Sequence, residues 1–311
     1  MSHFVYSKNY NISFMGLEKM HSFDTCKYDK IFSFLKENKV ENIETNVSEI
    51  TKEELCAIHT LNYLEKLDYS YEVGKMCELY LMAVVPNFLI QRFILSPMRY
   101  QVKGTIMAGE MALKNKWCVN IGGGMHHASS DDGGGWCLYS DIPLSIKNLM
   151  TKKKITKSMI IDLDVHQGNG IERDLSKFPK KSIYMIDCYN HSLYPCDEDA
   201  KKAINIDIDV TENTTDKKYL ASINSAIKKG LKNFSPDIVF YNAGTDILDG
   251  DPLNGGVSIT EDGVIKRDEL VMKAFTDIGI PIVMVLSGGY SPKSVNVISN
   301  SMYNLYKKLP N

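Results

Sequence analysis

From about residue 97 onward the chain repeats one pattern: a short, nearly unbroken apolar run, a longer amphipathic stretch, then another apolar run. The runs fall at 117–121, 158–163, 182–186, 203–208, 237–241 and 281–286, and they are rich in Val and Ile. Strands that are apolar at successive positions, not at alternate ones, are covered on both faces, which is the situation of a parallel sheet between helices. Helical stretches are expected between them at 97–116, 141–153, 216–234, 261–279 and 291–309. Asp141-Ile142-Pro143 and Ser291-Pro292 place proline in a first turn, where its missing N–H costs nothing. The alternation predicts an α/β fold with helices on both sides of a largely parallel sheet. Residues 1–96 read as a helix-rich wrapping around that sheet. No repeat, low-complexity segment or linker divides the chain, so a single domain over residues 1–311 is expected.

Some function classes are set aside by composition. The balance of 36 basic and 38 acidic residues leaves a net charge of −2, without the basic excess that direct nucleic-acid binding usually shows. The seven cysteines are scattered and form no Cys-x-x-Cys pair, which argues against a disulfide framework or a zinc knuckle. No apolar run near the N-terminus suits a signal peptide, so an intracellular setting is expected, nuclear or cytoplasmic. The most apolar stretch, 79–95, is interrupted by Pro86-Asn87 and by Gln91-Arg92 and is not expected to span a membrane, which takes about 20 apolar residues.

In open parallel sheets, ligands bind beyond the carboxyl ends of the strands. That is where the unusual residues of this chain fall. His126-His127 follow the first run, Asp162, Asp164 and His166 close the second, Asp246 follows the fifth and Tyr290 the sixth. If 162–166 is extended, Asp162, Asp164 and His166 share one face, with Leu163 and Val165 on the other. Asp164, His166 and a distant Asp246 would then form a three-ligand site with one position left for water, the usual arrangement of catalytic zinc. The plain alternative is that an Asp-x-Asp merely ends a strand. A second such pair, Asp207-Ile208-Asp209, has no following histidine and is read as structural or surface-facing. A lone histidine is most often a packing residue, but two in tandem between Gly122-Gly123-Gly124 and Gly133-Gly134-Gly135 are hard to explain that way. These glycines match neither phosphate-binding pattern, which argues against a nucleotide site.

The segments Gly122-Gly123-Gly124-Met125-His126-His127, Asp162-Leu163-Asp164-Val165-His166-Gln167-Gly168-Asn169-Gly170, Asn242-Ala243-Gly244-Thr245-Asp246 and Gly288-Gly289-Tyr290, in that order, resemble the zinc-dependent histone deacetylases. The phrases at 11–19 (NISFMGLEK), 104–109 (GTIMAG), 241–248 (YNAGTDIL) and 266–271 (KRDELV) resemble the class IV branch in particular, and the likeness runs from about Val5 to Leu305. This resemblance implies a three-layer arginase-deacetylase fold with a largely parallel eight-stranded sheet, and hydrolysis of the amide of acyl-lysine side chains, acetyl or long-chain fatty acyl, on histones or other proteins. It implies Zn2+ held by Asp164, His166 and Asp246. His127 would be the base, His126 with Asp162 behind it an electrostatic partner, and Tyr290 the oxyanion donor. Gly135, Trp136 and Tyr194 would line the substrate channel, with Leu253 near its mouth. A K+ ion would sit against Asp162, Asp164, His166, Asp187 and Cys188. Regulatory protein complexes are a further implication.

Two departures from the class I pattern stand out. Asn169 replaces the aspartate behind the second histidine, and Ser287 replaces the first glycine of the turn before Tyr290; both are read as tuning. Three other readings stay open: a two-manganese ureohydrolase on the same fold, a deacetylase of polyamines or other small molecules, and a non-catalytic acyl-lysine-binding scaffold.

Overall fold

The computed structural model describes residues 1–14, 16, 18 and 23–310. Among the described residues eight strands form one sheet: β1 Phe4–Val5, β2 Ile43–Glu44, β3 Trp117–Asn120, β4 Ser158–Asp162, β5 Ile183–Tyr189, β6 Ile206–Asp209, β7 Ile238–Asn242 and β8 Ile282–Val285. Their order is β2-β1-β3-β8-β7-β4-β5-β6, and every pairing is parallel. All residues of β3, β4, β7 and β8 are buried, as strands covered on both faces must be.

The six expected strands are all present, within a few residues of their expected limits. The two at one edge, β1 and β2, lie in the region read as helical wrapping. Each is two residues long, too short to leave a periodic signal in the sequence. The first segment of the chain therefore contributes to the sheet as well as covering it. Of the phrase at 11–19, residues 15, 17 and 19 lie outside the described residues.

The covering helices pack in two sets. Helix Ser96–Asn115 lies against Asp141–Thr151; helices Lys27–Glu37, Ser294–Lys308, Glu261–Thr276 and Asp216–Asn233 pack in succession. Thr215 and Thr260 begin their helices by accepting the N–H of Lys218 and Gly263, a cap worth about 1 kcal/mol. The last helix starts at Ser294, not at 291. Ser291-Pro292 form the turn before it, in which the Lys293 N–H donates to the Ser291 hydroxyl at 3.3 Å. The apolar 79–95 stretch breaks into a 3-10 turn, Tyr80–Val84, and two short helical pieces, Asn87–Ile90 and Gln91–Leu95. Among the described residues no helix is long and apolar enough to cross a membrane.

One feature of the strand order positions the site. The strands that precede His126, Asp164, Asp246 and Tyr290 are β3, β4, β7 and β8, which are contiguous at the middle of the sheet in the order β3-β8-β7-β4. Residues more than 160 apart in sequence thus emerge from one edge of one layer.

Candidate active site and metal centre

Strand β4 ends at Asp162, so the segment to His166 is not extended as the alternation suggested. Instead two aspartate side chains fold the chain back on itself. The Asp164 N–H donates to Asp162 Oδ1 at 3.2 Å, and the His166 N–H donates to Asp164 Oδ1 at 3.0 Å. Such side-chain-to-backbone turns are what Asp favours once a ladder stops supplying partners. They separate the two carboxylates by role, since Asp162 turns back toward His126 while Asp164 faces His166.

Asp164, His166 and Asp246 each present a ligand atom, all within 4.8 Å of one another, and all three residues are buried. His166 Nδ1 lies 3.1 Å from Asp164 Oδ1 and 3.1 Å from Asp246 Oδ2. Two buried carboxylates so close repel each other. Burial first, and then the charge of Asp164, push the Asp246 carboxyl up to about 7. A divalent cation shared by both would relieve that repulsion, and one imidazole with two carboxylates is a donor set suited to zinc.

The tandem histidines sit beside this cluster, with ring centroids 4.1 Å apart. His126 Nδ1 is 3.0 Å from Asp162 Oδ2, and His127 Nδ1 is 2.9 Å from Asn169 Oδ1. Burial disfavours the charged form of both rings, but their neighbours differ. Asp162 and Asp164 overcome the burial of His126 and lift it to about 9. His127 has only a neutral amide behind it, so burial and the nearby His126 and His166 hold it well below 6.5. The two adjacent rings are therefore shifted in opposite directions, His126 up and His127 down.

Around them lies a cleft whose described lining includes Phe23, Met125, Gly135, Trp136, Gly288 and Tyr290. Gly135 has φ +50°, and a Cβ there would stand 2.6 Å from His127 Cδ2, so the wall against His127 requires glycine. Trp136 is buried, with its ring 6.3 Å from Phe23. Tyr194 is half exposed and meets the His127 ring edge-on at 5.0 Å. Tyr290 lies 6.3 Å from His166, ring to ring. Its N–H and that of Ser291 donate to Asp251 Oδ2 at 2.7 and 2.9 Å. The same carboxylate, through Oδ1, receives the N–H of Leu253, which is partly exposed. Burial, with Asp246 and Asp164, raises the Tyr290 hydroxyl well above 10, so it is a proton donor at any ordinary pH.

Asp187 and Cys188, both buried, lie on β5 alongside β4, with Asp187 level with Asp162. Asp187 Oδ2 accepts from the Gly168 N–H at 2.9 Å. Burial, Asp162 and Glu172 together push its carboxyl well above the usual range.

Several residues support the site in ways that no motif announces. Lys27, fully buried, donates from Nζ to the Ser287 carbonyl at 2.7 Å and so braces the turn that carries Tyr290. The Ser287 hydroxyl lies 2.9 Å from Asp164 Oδ2 and 3.0 Å from the Gly124 carbonyl, while Asn242 Nδ2 donates to it. The serine in the glycine turn thus ties the tyrosine turn to Asp164. Asp141, expected only as a helix start, accepts the N–H groups of Gly124 and Met125 and holds the loop before the histidines. A buried polar side chain far from any motif gives no local signal; only the contact reveals it.

The family model described as "Histone deacetylase domain" matches residues 21–306. Histone deacetylase 2 of Arabidopsis thaliana is 42% identical over 306 residues, covering 98% of this chain and 78% of that protein. Histone deacetylase 8 of Xenopus tropicalis is 26% identical, covering 83% of this chain and 70% of that one. The crystal structure of the HDA15 HD domain superposes with a TM-score of 0.76 at 19% identity, covering 99% of this chain and 91% of that one, and so shares the fold. With its eight-stranded parallel sheet and a family match that spans most of its length, the chain belongs to the histone deacetylase domain family.

Proposed function

We propose that the chain is a zinc-dependent hydrolase of N6-acyl-lysine amides, of the class IV branch, with residues 1–311 forming one catalytic domain. The observation that carries this reading is the unlike pair of histidines beside a cluster of two carboxylates and one imidazole. Titratable neighbours driven apart in pKa mark an acid and base assignment. Asp164, His166 and Asp246 would hold the zinc, which when bound supplies a Lewis acid for the acyl carbonyl and an acidified water.

The Asn169 amide oxygen at Nδ1 of His127 leaves Nε2 as the basic nitrogen. His127 takes a proton from the attacking water there and returns one to the departing lysine amine. His126, held against Asp162, stabilises negative charge as it develops. The Tyr290 hydroxyl donates to the acyl oxygen as that oxygen becomes an oxyanion. Gly135, Trp136 and Tyr194 flank the lysine stem, with Leu253 at the rim, and the acyl group, acetyl or longer, lies toward the apolar cleft. K+ would sit among Asp162, Asp164, His166, Asp187 and Cys188, where a cation offsets the repulsion between Asp162 and Asp187.

Asp164, His166 and Asp246 bring three donor atoms within 4.8 Å of one another, a compact set in keeping with a single ion. All seven cysteines are free thiols, in keeping with an intracellular protein in the nucleus or cytoplasm. Protein substrates are proposed over small amines because the chain shares its domain with protein deacetylases.

The test is metal analysis together with turnover of matched acetyl-lysine and myristoyl-lysine peptides, with and without a zinc chelator. One zinc per chain and chelator-sensitive release from either peptide is the expected result. Full zinc occupancy without cleavage of either peptide would overturn the reading.

A further inference from the structure

An asparagine behind a catalytic base raises a problem that an aspartate does not. A carboxylate presents oxygen whichever way it turns, whereas an amide presents oxygen at one end and N–H at the other. With its oxygen toward His127 Nδ1, the ring keeps its proton on Nδ1 and leaves Nε2 bare. Reversed, the NH2 would face Nδ1, the proton would move to Nε2, and the base would be lost. Something must fix which way round Asn169 sits.

On the far side of Asn169 stands Asp197, with Oδ2 3.5 Å from Asn169 Nδ2. It is held on every side. Arg173 donates to Oδ2 from Nε at 2.6 Å and Nη2 at 2.5 Å, and the Ala200 N–H donates to Oδ1 at 3.0 Å. Its backbone is clipped to the segment carrying Asn169. The Asp197 N–H donates to Gln167 Oε1 at 2.9 Å, and Gln167 Nε2 donates to the Asp197 carbonyl at 3.0 Å. These contacts hold the carboxylate beside Asn169, and only the N–H end of the amide can face it favourably. The same turn carries Tyr194 against the other flank of His127.

We propose that Asp197 is a positioning residue: it fixes the orientation of the Asn169 amide and thereby selects the His127 tautomer that can act as base. The charge absent from the position behind the base stands one residue further out, where it orders the amide without strongly charging the ring. This inference rests on the reading of His127 as the base.

Asp197 also starts the short helix Glu198–Lys201, so a substitution could act through stability alone. Asp197→Ser retains a capping oxygen while removing the charge. In the zinc-loaded enzyme it should lower kcat by about 10–100-fold with little change in KM, the usual effect of losing a partner behind a functional residue. In an Asn169→Asp background, where nothing can be reversed, the same substitution should cost nothing. An equal loss in both backgrounds would reduce Asp197 to a structural part. 15N NMR of histidine-labelled protein gives a readout that needs no activity, even if Asn169→Asp proves inactive. Wild type should show His127 protonated on Nδ1, and Asp197→Ser a shift toward Nε2. An unchanged tautomer in Asp197→Ser would overturn the proposal. An Nε2 proton already present in wild type would instead remove the assignment of His127 as base. A normal tautomer response with no hydrolysis of any acyl-lysine peptide would leave the positioning intact and overturn the functional reading.

Discussion

Asp162-Leu163-Asp164 and Asp207-Ile208-Asp209 are nearly the same word at the ends of two strands separated by a single strand, and they do opposite things. The first closes β4, near the middle of the sheet, where both carboxylates are buried and receive backbone and side-chain donors. The second lies within β6, an edge strand of the sheet, with both residues exposed. It too finds an imidazole, since His191 Nε2 is 2.7 Å from Asp207 Oδ1 and Lys201 Nζ is 3.2 Å from Oδ2. What separates a buried cluster suited to a cation from a surface ion pair is therefore not the residue types but the dielectric around them. In the interior, unscreened carboxylates impose several kcal/mol of demand for a cation, whereas at the surface water meets it. The ladder matters as well. Asp164 lies past the end of β4 and is free to turn, while Asp207 and Asp209 are held in register with Asp187 and Tyr189.

Paired substitutions test that contrast most severely. Asp164→Asn should abolish stoichiometric zinc binding and reduce kcat/KM by about 10³ or more, since the Lewis acid is worth several kcal/mol. Asp209→Asn, the matching change on β6, should alter neither zinc content nor turnover. If metal analysis found zinc lost in both, the two pairs would not be as different as their burial implies.

Next in size is Tyr290→Phe. Removing one oxyanion donor typically costs about 10²–10³ in kcat. The ring stays, and the backbone N–H still reaches Asp251, so thermal unfolding should be unchanged. Wild-type turnover in this variant would take Tyr290 out of the chemistry.

How much of this was legible in the sequence follows from the same contrast. The central strands announced themselves because a strand buried on both faces must be apolar throughout, and the polar residues just past their ends stood out against that background. The edge strands β1 and β2 were invisible, because two residues have no period. The convergence of His126, Asp164 and Asp246 required knowing that β3, β8, β7 and β4 are adjacent, and no local pattern gives that order. The geometry of 162–166 was misjudged because alternation describes a strand, and the strand stops at Asp162. Lys27, Asp141 and Asp197 were missed because each acts on a backbone or an amide far away in sequence.

A smaller effect comes from restoring the charge that the site lacks. In Asn169→Asp a carboxylate faces His127 Nδ1 in place of an amide. It favours the imidazolium and so raises the pKa of a ring now held well below 6.5 by burial and its two histidine neighbours. A base works only when neutral, so raising its pKa moves the acid limb of the kcat/KM profile to higher pH, by about one unit or more. Wild type should remain active well below pH 6.5, where the variant is already falling. A limb that did not move, or moved to lower pH, would show that His127 is not the group titrating.

The smallest effect belongs to the edge pair, and it bears most directly on the contrast. Asp207→Asn removes the closest partner of His191 and of Lys201. Partly exposed ion pairs contribute about 0–1 kcal/mol, screened by salt. Urea unfolding at low ionic strength should therefore show a loss no larger than about 1 kcal/mol, shrinking further as salt is added, with kcat/KM unchanged throughout. A salt-insensitive loss of several kcal/mol would mean that β6 is held by its carboxylates much as β4 is. The distinction between a charge that water satisfies and one that calls for a buried counter-ion would then have to rest on geometry alone.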